Sequence, residues 1–486
     1  MDAEVIIAGA GPAGLMLAGE LRLGGVDVVV VERSPRPAPE SRALGFTART
    51  MEVFAQRGIL PLFGKPATTP FGHFGGVPLD IGVLDAAHFA VLGVPQSRTE
   101  AVLTEWATGL GVRILRGHEL ISLSNNGENV EATIHRTGEN GSPEHLRAAY
   151  LVGCDGGRST VRRLAGFDFP GTPGTVETLQ ADVRGVDVAP RPPGTWTPGG
   201  MVIAAPIGDG ITRVILCERG AVPRDRTAPV TFAELAAVWK RLTGEDIGHG
   251  EPVWVTAATN ATRQVTEYRR GRVLLAGDAA HIHLPTGGQG LNVSIQDSAN
   301  LGWKLAAQVR GWAPPGLLDS YHDERHPVGT RLLLNTRAQG LLVLGGEEMQ
   351  PLRDVLTELV AFEDVARHLA GMVTGLDVRY DVGPGDHRLL GLRMPHHELK
   401  TADGAVSIAR LLYPARGLLL DLADDPRLRR AAAGWADRVD VVTASPGPLE
   451  GTDALLIRPD GHVVWAAPGC GEPGPALRRW FGDPRP

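Results

Sequence analysis

The sequence predicts an α/β protein: a Rossmann-type nucleotide-binding domain, interrupted by an inserted β-sheet domain and followed by a small thioredoxin-like domain. Three observations carry this expectation. A strand, a glycine-rich turn, a helix and a second strand ending in an acid follow one another near Met1, and the passage from strand to Asp-bearing turn recurs after Tyr150 and after Val273. Between Gly171 and Thr266 the pattern changes to alternating runs with a hairpin turn. From about Asp381 it becomes a βα unit closed by a second hairpin.

The first motif runs from the buried-type strand Glu4 to Ala8, through Gly9, Gly11, Ala13 and Gly14, along an amphipathic stretch to Leu23, and into the strand Val26 to Val31. The glycines permit a tight turn and close approach of backbone to a pyrophosphate, and Glu32 follows about 20 residues on, where a carboxylate reaches ribose hydroxyls. An acid there favours the unphosphorylated ribose of FAD or NAD. Pro70 to Pro95 is rich in Gly, Phe and Pro and reads as loop or short strands. Thr99 to Gly109 is helical, and Val112 to Leu115 and Val130 to Ile134 are strands.

Tyr150 to Gly153 is again a strand, meeting the Asp155-Gly turn and a basic helix start. Gly200 to Ile207 and Ile211 to Glu218 form a hairpin across Gly208-Asp-Gly210. Val273 to Asn292 joins a strand to Asp278 and a glycine-dense turn opening a helix at Gly290, which presents N–H groups and a carboxylate together to a polar, partly anionic ring. Long apolar helices follow through Leu305, Leu318, Leu334 and Leu356. In the last unit Gly417 to Leu422 and Val439 to Thr443 flank a helix, and Ala454 to Ile457 pairs with Val463 to Ala466 across Pro459-Asp-Gly461. The expected domains are 1–170 with 267–380, into which 171–266 is inserted with help from 70–96, and then 381–486.

Hydrophobic residues make up 43% of the 486, enough for sizeable cores, while a net charge of -7 leaves no basic face for a nucleic-acid partner. Arg162-Arg163 and Arg269-Arg270 read as solvated ends. The 3 cysteines, Cys154, Cys217 and Cys470, are far apart, which points to a reducing, cytoplasmic compartment and leaves the last unit without a CxxC dithiol. That unit is read as structural, with a homodimer contact as one use. Met1 to Glu4 lacks a basic leader, and no run of 18 apolar residues spans a membrane. His281 and His283 are not expected to hold a metal. His322, Asp323, Glu324 and His326 read as a solvated helix end stopped by Pro327.

Taken together, GAGPAG at residues 9–14, CDGGRSTVR at 154–162 and GDAAHIHLPTGGQGLN at 277–292 resemble the class A flavoprotein monooxygenases, aromatic hydroxylases related to para-hydroxybenzoate hydroxylase. The likeness is nearest to bacterial polyketide hydroxylases of angucycline intermediates and extends to SRALGFTARTMEVF at 41–54, HFGG at 73–76, NATRQVTEYRR at 260–270 and IRPDGHVVW at 457–465. It implies FAD as cofactor, NADPH and O2 as co-substrates, and a thioredoxin-like tail without cysteines. It places backbone around Ala13 on the pyrophosphate, with Gly9, Gly11 and Gly14 shaping the turn, Glu32 on the adenosine ribose and Arg33 beside it. Arg42 would contact FAD near the nicotinamide approach, Gln96 the flavin side, Leu120 the adenine through its backbone, and Asp155 the NADPH and pyrophosphate region. Asp278 would hold the ribityl chain or pyrophosphate, Pro285, Gly288 and Gly290 would form the turn over the ring, and Leu291 and Asn292 would bond the pyrimidine edge. Phe74, Met201 and Trp254, with Pro285, are candidates for a substrate wall. No protein nucleophile is implied, because a flavin C4a-hydroperoxide hydroxylates the phenolic ring. The implied substrate is an angucyclinone-type aromatic polyketide in antibiotic biosynthesis; inactivation of a rifamycin or tetracycline, and a non-catalytic flavin-binding partner protein, are the alternatives.

Overall fold

A computed structural model of the chain describes every residue except 38–42, 66–67, 85–90, 139–141, 194, 225–227 and 486, together with the side chains of 91–93 and 448 excepted. At its centre a six-stranded sheet runs in the order Arg269–Arg270, Val273–Leu275, Tyr150–Gly153, Val5–Ala8, Val28–Glu32, Arg113–Arg116. Its neighbours are parallel apart from the Arg269–Arg270 edge. Val5 to Ala8 and Val28 to Val31 are buried on both faces, which is why these runs are continuously apolar.

Helix α1 (Pro12–Leu23) was expected to be amphipathic, yet every residue from Ala13 to Leu21 is buried. Small residues explain it: a Cβ on Gly19 would fall 2.0 Å from the Trp106 ring, so only glycine admits that close a neighbour. Helices α2 (Ala48–Ala55), α3 (Gln96–Gly109) and the short α4 (Thr160–Leu164) follow. A separate antiparallel sheet then runs Trp196–Thr197, Gly200–Gly208, Ile211–Glu218, Glu177–Arg184, Glu251–Thr259. One of its faces carries Leu179, Ala181, Val183, Val202, Val214 and Leu216, which pack with Leu235 and Trp239 of α5 (Phe232–Thr243).

Beyond the second Asp motif come α6 (Gln289–Val309), α7 (Ser320–Leu344), α8 (Gln350–Leu359) and α9 (Glu363–Thr374). Helix α7 does not stop at Pro327 but carries it as an interior residue. Its polar patch is not a solvated end either, since Glu324 is buried and holds Lys304 Nζ at 2.8 Å. Anchors on both sides of the proline, Glu324 and Arg325 before it and Gly329 and Leu332 after it, keep the helix going where the ring alone would end it. Arg162 is also buried rather than solvated, donating to Ala279 O and Gly157 O at 2.9 and 2.8 Å.

The last sheet runs Val439–Thr443, Gly417–Asp421, Ala454–Ile457, Val463–Ala467, its first pair parallel and the rest antiparallel. The turn of its hairpin is driven into the body of the protein. Arg458, fully buried, bonds both Glu324 oxygens at 2.6 and 2.9 Å and both Asp460 oxygens at 2.5 and 3.0 Å. Arg57 of the cofactor side bonds Pro459 O at 2.7 Å and Glu20 at 2.6 and 3.0 Å. Cys154, Cys217 and Cys470 are free thiols. Among the described residues no helix is long and apolar enough to cross a membrane.

Candidate cofactor and substrate site

Two helix starts open onto one groove. Gly9 has φ +103, and a Cβ there would fall 2.4 Å from Cys154 O; a Cβ on Gly14 would meet Gly9 O at 2.0 Å. Both glycines are therefore required by close backbone approach. Gly11, the N-cap of α1, faces open space, and the first turn of α1 has neither a side-chain cap nor an acid. The start of α6 matches it, capped by Gly288 at φ +65 with nothing within 4 Å and no side-chain cap bond. Ser298, in the third turn of α6, donates to Ala13 O at 2.8 Å and so ties α6 to the start of α1. Uncapped N–H groups at a dipole's positive end, with room where a Cβ would be, fit a pyrophosphate on α1 and an electron-rich ring edge on α6. Residues and shape thus suit FAD.

Glu32 ends its strand beside this groove, accepting Ala10 N–H and Ser34 N–H, each at 2.8 Å. Arg33 is exposed next to it. Gln96 accepts Ala43 N–H at 3.4 Å and donates to Glu100 at 2.9 Å, and burial raises the Glu100 carboxyl above its usual range. Arg42 lies outside the described residues. Leu120 is a buried strand residue opposite Ile134, next to a register shift that leaves Ile121 unpaired. Asp155 caps α4, its oxygens taking Ser159 Oγ at 2.5 Å, Thr160 N at 2.7 Å and Val161 N at 3.0 Å. Since both oxygens are engaged, Asp155 shapes the backbone beside Gly9.

Asp278 is exposed between buried Gly277 and Ala279, so its carboxylate alone of that turn faces outward. Behind it stands a support that sequence reasoning missed. Asp297 on α6 accepts Gly277 N–H at 3.2 Å, His281 Nε2 lies 2.9 Å from the same carboxylate, and Arg325 Nε donates to it at 2.7 Å. Burial raises the Asp297 carboxyl, but Arg325 and His281 outweigh it and hold it below the usual range. Arg325 continues to the Tyr380 hydroxyl at 3.0 Å. His283 is held low by burial, and its Nε2 lies 3.2 Å from the Cβ position of Gly290. Pro285 is exposed on the turn before α6. Asn292 uses its side chain on Thr47 N and Gly288 O, both at 2.8 Å, while half-buried Leu291 packs on the core.

The sheet face turned away from α5 carries Met201, Ile203, Gln180, Asp182, Arg213, Ile215, Cys217, Trp254 and Thr256 by strand alternation. Asp182 and Arg213 pair in a fork at 2.7 and 2.9 Å, and Trp254 Nε1 donates to Asp182 at 2.9 Å. Met201 packs with Cys217 and Val343. Phe74 instead belongs to a cluster with Leu79, Leu342 and Leu369, so its ring serves packing between α7 and α9. Burial pushes the Cys217 thiol up to about 11 and Cys154 higher still, which leaves both inert as nucleophiles. No cluster of metal-ligating side chains occurs among the described residues.

Residues 2–336 match the family described as FAD binding domain, and residues 387–484 that described as aromatic-ring hydroxylase, C-terminal. The solved structure of CabE, an aromatic hydroxylase from angucycline biosynthesis, is 62% identical with TM-score 0.97, covering 100% of both chains. Rifampicin monooxygenase of Streptomyces venezuelae is 46% identical, covering 99% of this chain and 98% of its own. The 12-dehydrotetracycline 5-monooxygenase/anhydrotetracycline 6-monooxygenase of Streptomyces rimosus is 44% identical over the full length of both.

Proposed function

The chain belongs to the FAD-binding aromatic-ring hydroxylase family and is a flavin-dependent monooxygenase of aromatic polyketide-type molecules; from that premise we propose that it hydroxylates an angucyclinone in antibiotic biosynthesis, with NADPH and O2 as co-substrates. The observation that carries the choice of substrate is the likeness to CabE, which runs through the Glu177–Thr259 sheet as well as the cofactor groove. In this reading 171–266 is the inserted substrate domain and 381–486 a thioredoxin-like structural domain.

FAD, when bound, supplies hydride acceptance and oxygen activation; the chain supplies place and polarity. Backbone at Gly11 to Gly14 would hold the pyrophosphate, Glu32 the ribose, Asp278 the ribityl chain, and the N–H groups of Leu291 and Asn292 the pyrimidine edge, where the α6 dipole favours negative charge. Arg33 would lie beside Glu32 at the ribose, and Arg42 would contact FAD near the approach of the nicotinamide cofactor. The Met201–Trp254 face would cover the polycyclic ring and exclude water, with the Asp182–Arg213 fork keeping Trp254 rigid.

Incubation of the FAD-loaded protein with NADPH, O2 and a panel of angucyclinones, followed by mass spectrometry, tests this. Gain of one oxygen on a tetracyclic phenol is expected. The 46% likeness to a rifampicin monooxygenase favours a second reading, drug inactivation, and oxygen gain on a rifamycin with none on the panel would replace the first.

A further inference from the structure

Helix α6 has two working flanks. Residues advance about 100° each around a helix, so Ser294, Leu301 and Ser298 share the flank facing α1, while Gln289, Val293 and Gln296 share the opposite one. The cofactor groove lies on the first flank. Against the second lies a cavity of about 800 Å³, walled by Val293 of α6, Val328 and Leu332 of α7 and Met372 and Val373 of α9, with Trp480 from the last helix. That volume is within the range of small-molecule sites.

Two residues that line this cavity each carry a buried polar atom with no hydrogen-bond partner among the described residues: Gln289 Nε2, on a residue 3% exposed, and Thr47 Oγ1, on a residue 7% exposed. The orientation of the Gln289 amide is not arbitrary. Gly75 N–H donates to Gln339 at 3.1 Å, Gln339 Nε2 to Asn335 at 2.8 Å, and Asn335 Nδ2 to Gln289 Oε1 at 2.8 Å. This relay engages the oxygen and leaves the NH₂ as a free donor. Leaving a buried donor unmet is costly, so an acceptor arriving there would recover that loss. At the mouth Arg331 and Asp377 pair at 3.3 Å, with Asp323, Arg379 and Asp381 around them. A rim of both signs selects no strong net charge.

We propose that this cavity is a second ligand site, for a flat polycyclic quinone or phenol, whose leading ring oxygen takes hydrogen bonds from Gln289 and Thr47 while its apolar body lies between α6, α7 and α9. The ligand class rests on the function proposed above; the cavity and its two unmet polar atoms do not. An occupant lies behind Asn292, whose side chain joins Thr47 to the first turn of α6, so the second site touches the frame of the flavin's seat without entering it.

The test is equilibrium titration of the FAD-loaded full chain with alizarin, a dihydroxyanthraquinone, counting sites per chain by calorimetry. Two variants close the cavity: Val328→Trp fills it from within, and Arg331→Trp plugs it from an exposed position that folding tolerates. Each is expected to bind one equivalent fewer than the unmodified protein, with FAD content unchanged. If Arg331→Trp binds as many equivalents as the unmodified protein, the second site is overturned, even should Val328→Trp fail to fold. Product mass spectrometry with the angucyclinone panel judges the proposed reaction separately, since a lost equivalent and a lost product are independent readings.

Discussion

The groove between α1 and α6 and the hairpin turn Arg458 to His462 both bear on helix α6, yet they are made of opposite materials. The groove is backbone: glycines, uncapped N–H groups and a few oxygens that point outward. The hairpin turn is side chain: Arg458, Asp460, Glu324, Lys304 and Arg57 interlocked in the interior, with Asn300 of α6 donating to Glu324 at 2.6 Å and Asp460 at 3.2 Å. A backbone site can receive a ligand with little rearrangement. A buried charge network cannot lose a member without stranding the rest, and this difference sorts the mutations by consequence.

The largest effect is expected at the network. Arg458→Ala leaves Glu324 and Asp460 as buried carboxylates, and breaking such a pair costs about 3–5 kcal/mol. Denaturant unfolding should record that loss across the whole chain; an unchanged midpoint would mean that the weld is ornamental. Acid is the next lever. His462 is held down to about 4 by burial, so an unfolded chain binds the extra proton first, and stability falls as pH drops from 6.5 toward 4, by roughly 3 kcal/mol in all. Burial raises the Glu324 carboxyl, but Arg458 and Lys304 bring it down to about 2, so a second loss follows between pH 4.5 and 2. Thermal melting against pH should show both limbs, and His462→Phe should shrink the upper one, to which the buried His283 also contributes.

Changes in the groove should act on flavin before they act on the fold. Gly14→Ala drives a methyl against Gly9 O, with a strain of about 1–3 kcal/mol expected, read as flavin lost on gel filtration while the far-ultraviolet spectrum is kept. Ser298→Ala removes one buried bond to Ala13 O, worth about 1 kcal/mol, and should quicken FAD release several-fold while lowering the melt only slightly. If Ser298→Ala instead lowered stability as much as Arg458→Ala, the contrast between the two regions would fail.

The same contrast explains which parts were legible. Gly9 and Gly14 announce themselves because close backbone approach there tolerates no Cβ, and Gly11, the strand before and the acid after lie close in sequence. The hairpin across Gly208 to Gly210 is local in the same way. By contrast Glu324, read as part of a solvated helix end, is buried by Arg458, 134 residues away, and no pattern within one helix turn reveals such a partner. Asp297 was hidden for a related reason: a lone acid in an apolar helix gives no sign that it holds Gly277 and Arg325. Phe74, a candidate for the substrate wall, packs with Leu342 and Leu369, residues far from it in sequence.

The weld also bears on how the molecule comes into being. Glu52 and Glu324 are made early, whereas Arg393, which pairs with Glu52 at 2.7 Å, and Arg458, which pairs with Glu324, are made late. At ordinary synthesis rates the ribosome needs on the order of ten seconds to deliver the last hundred residues. During that interval Glu52 has Arg49 and Glu324 has Lys304 but neither has its second cation, so the final closure of the cofactor domain waits for the tail to emerge.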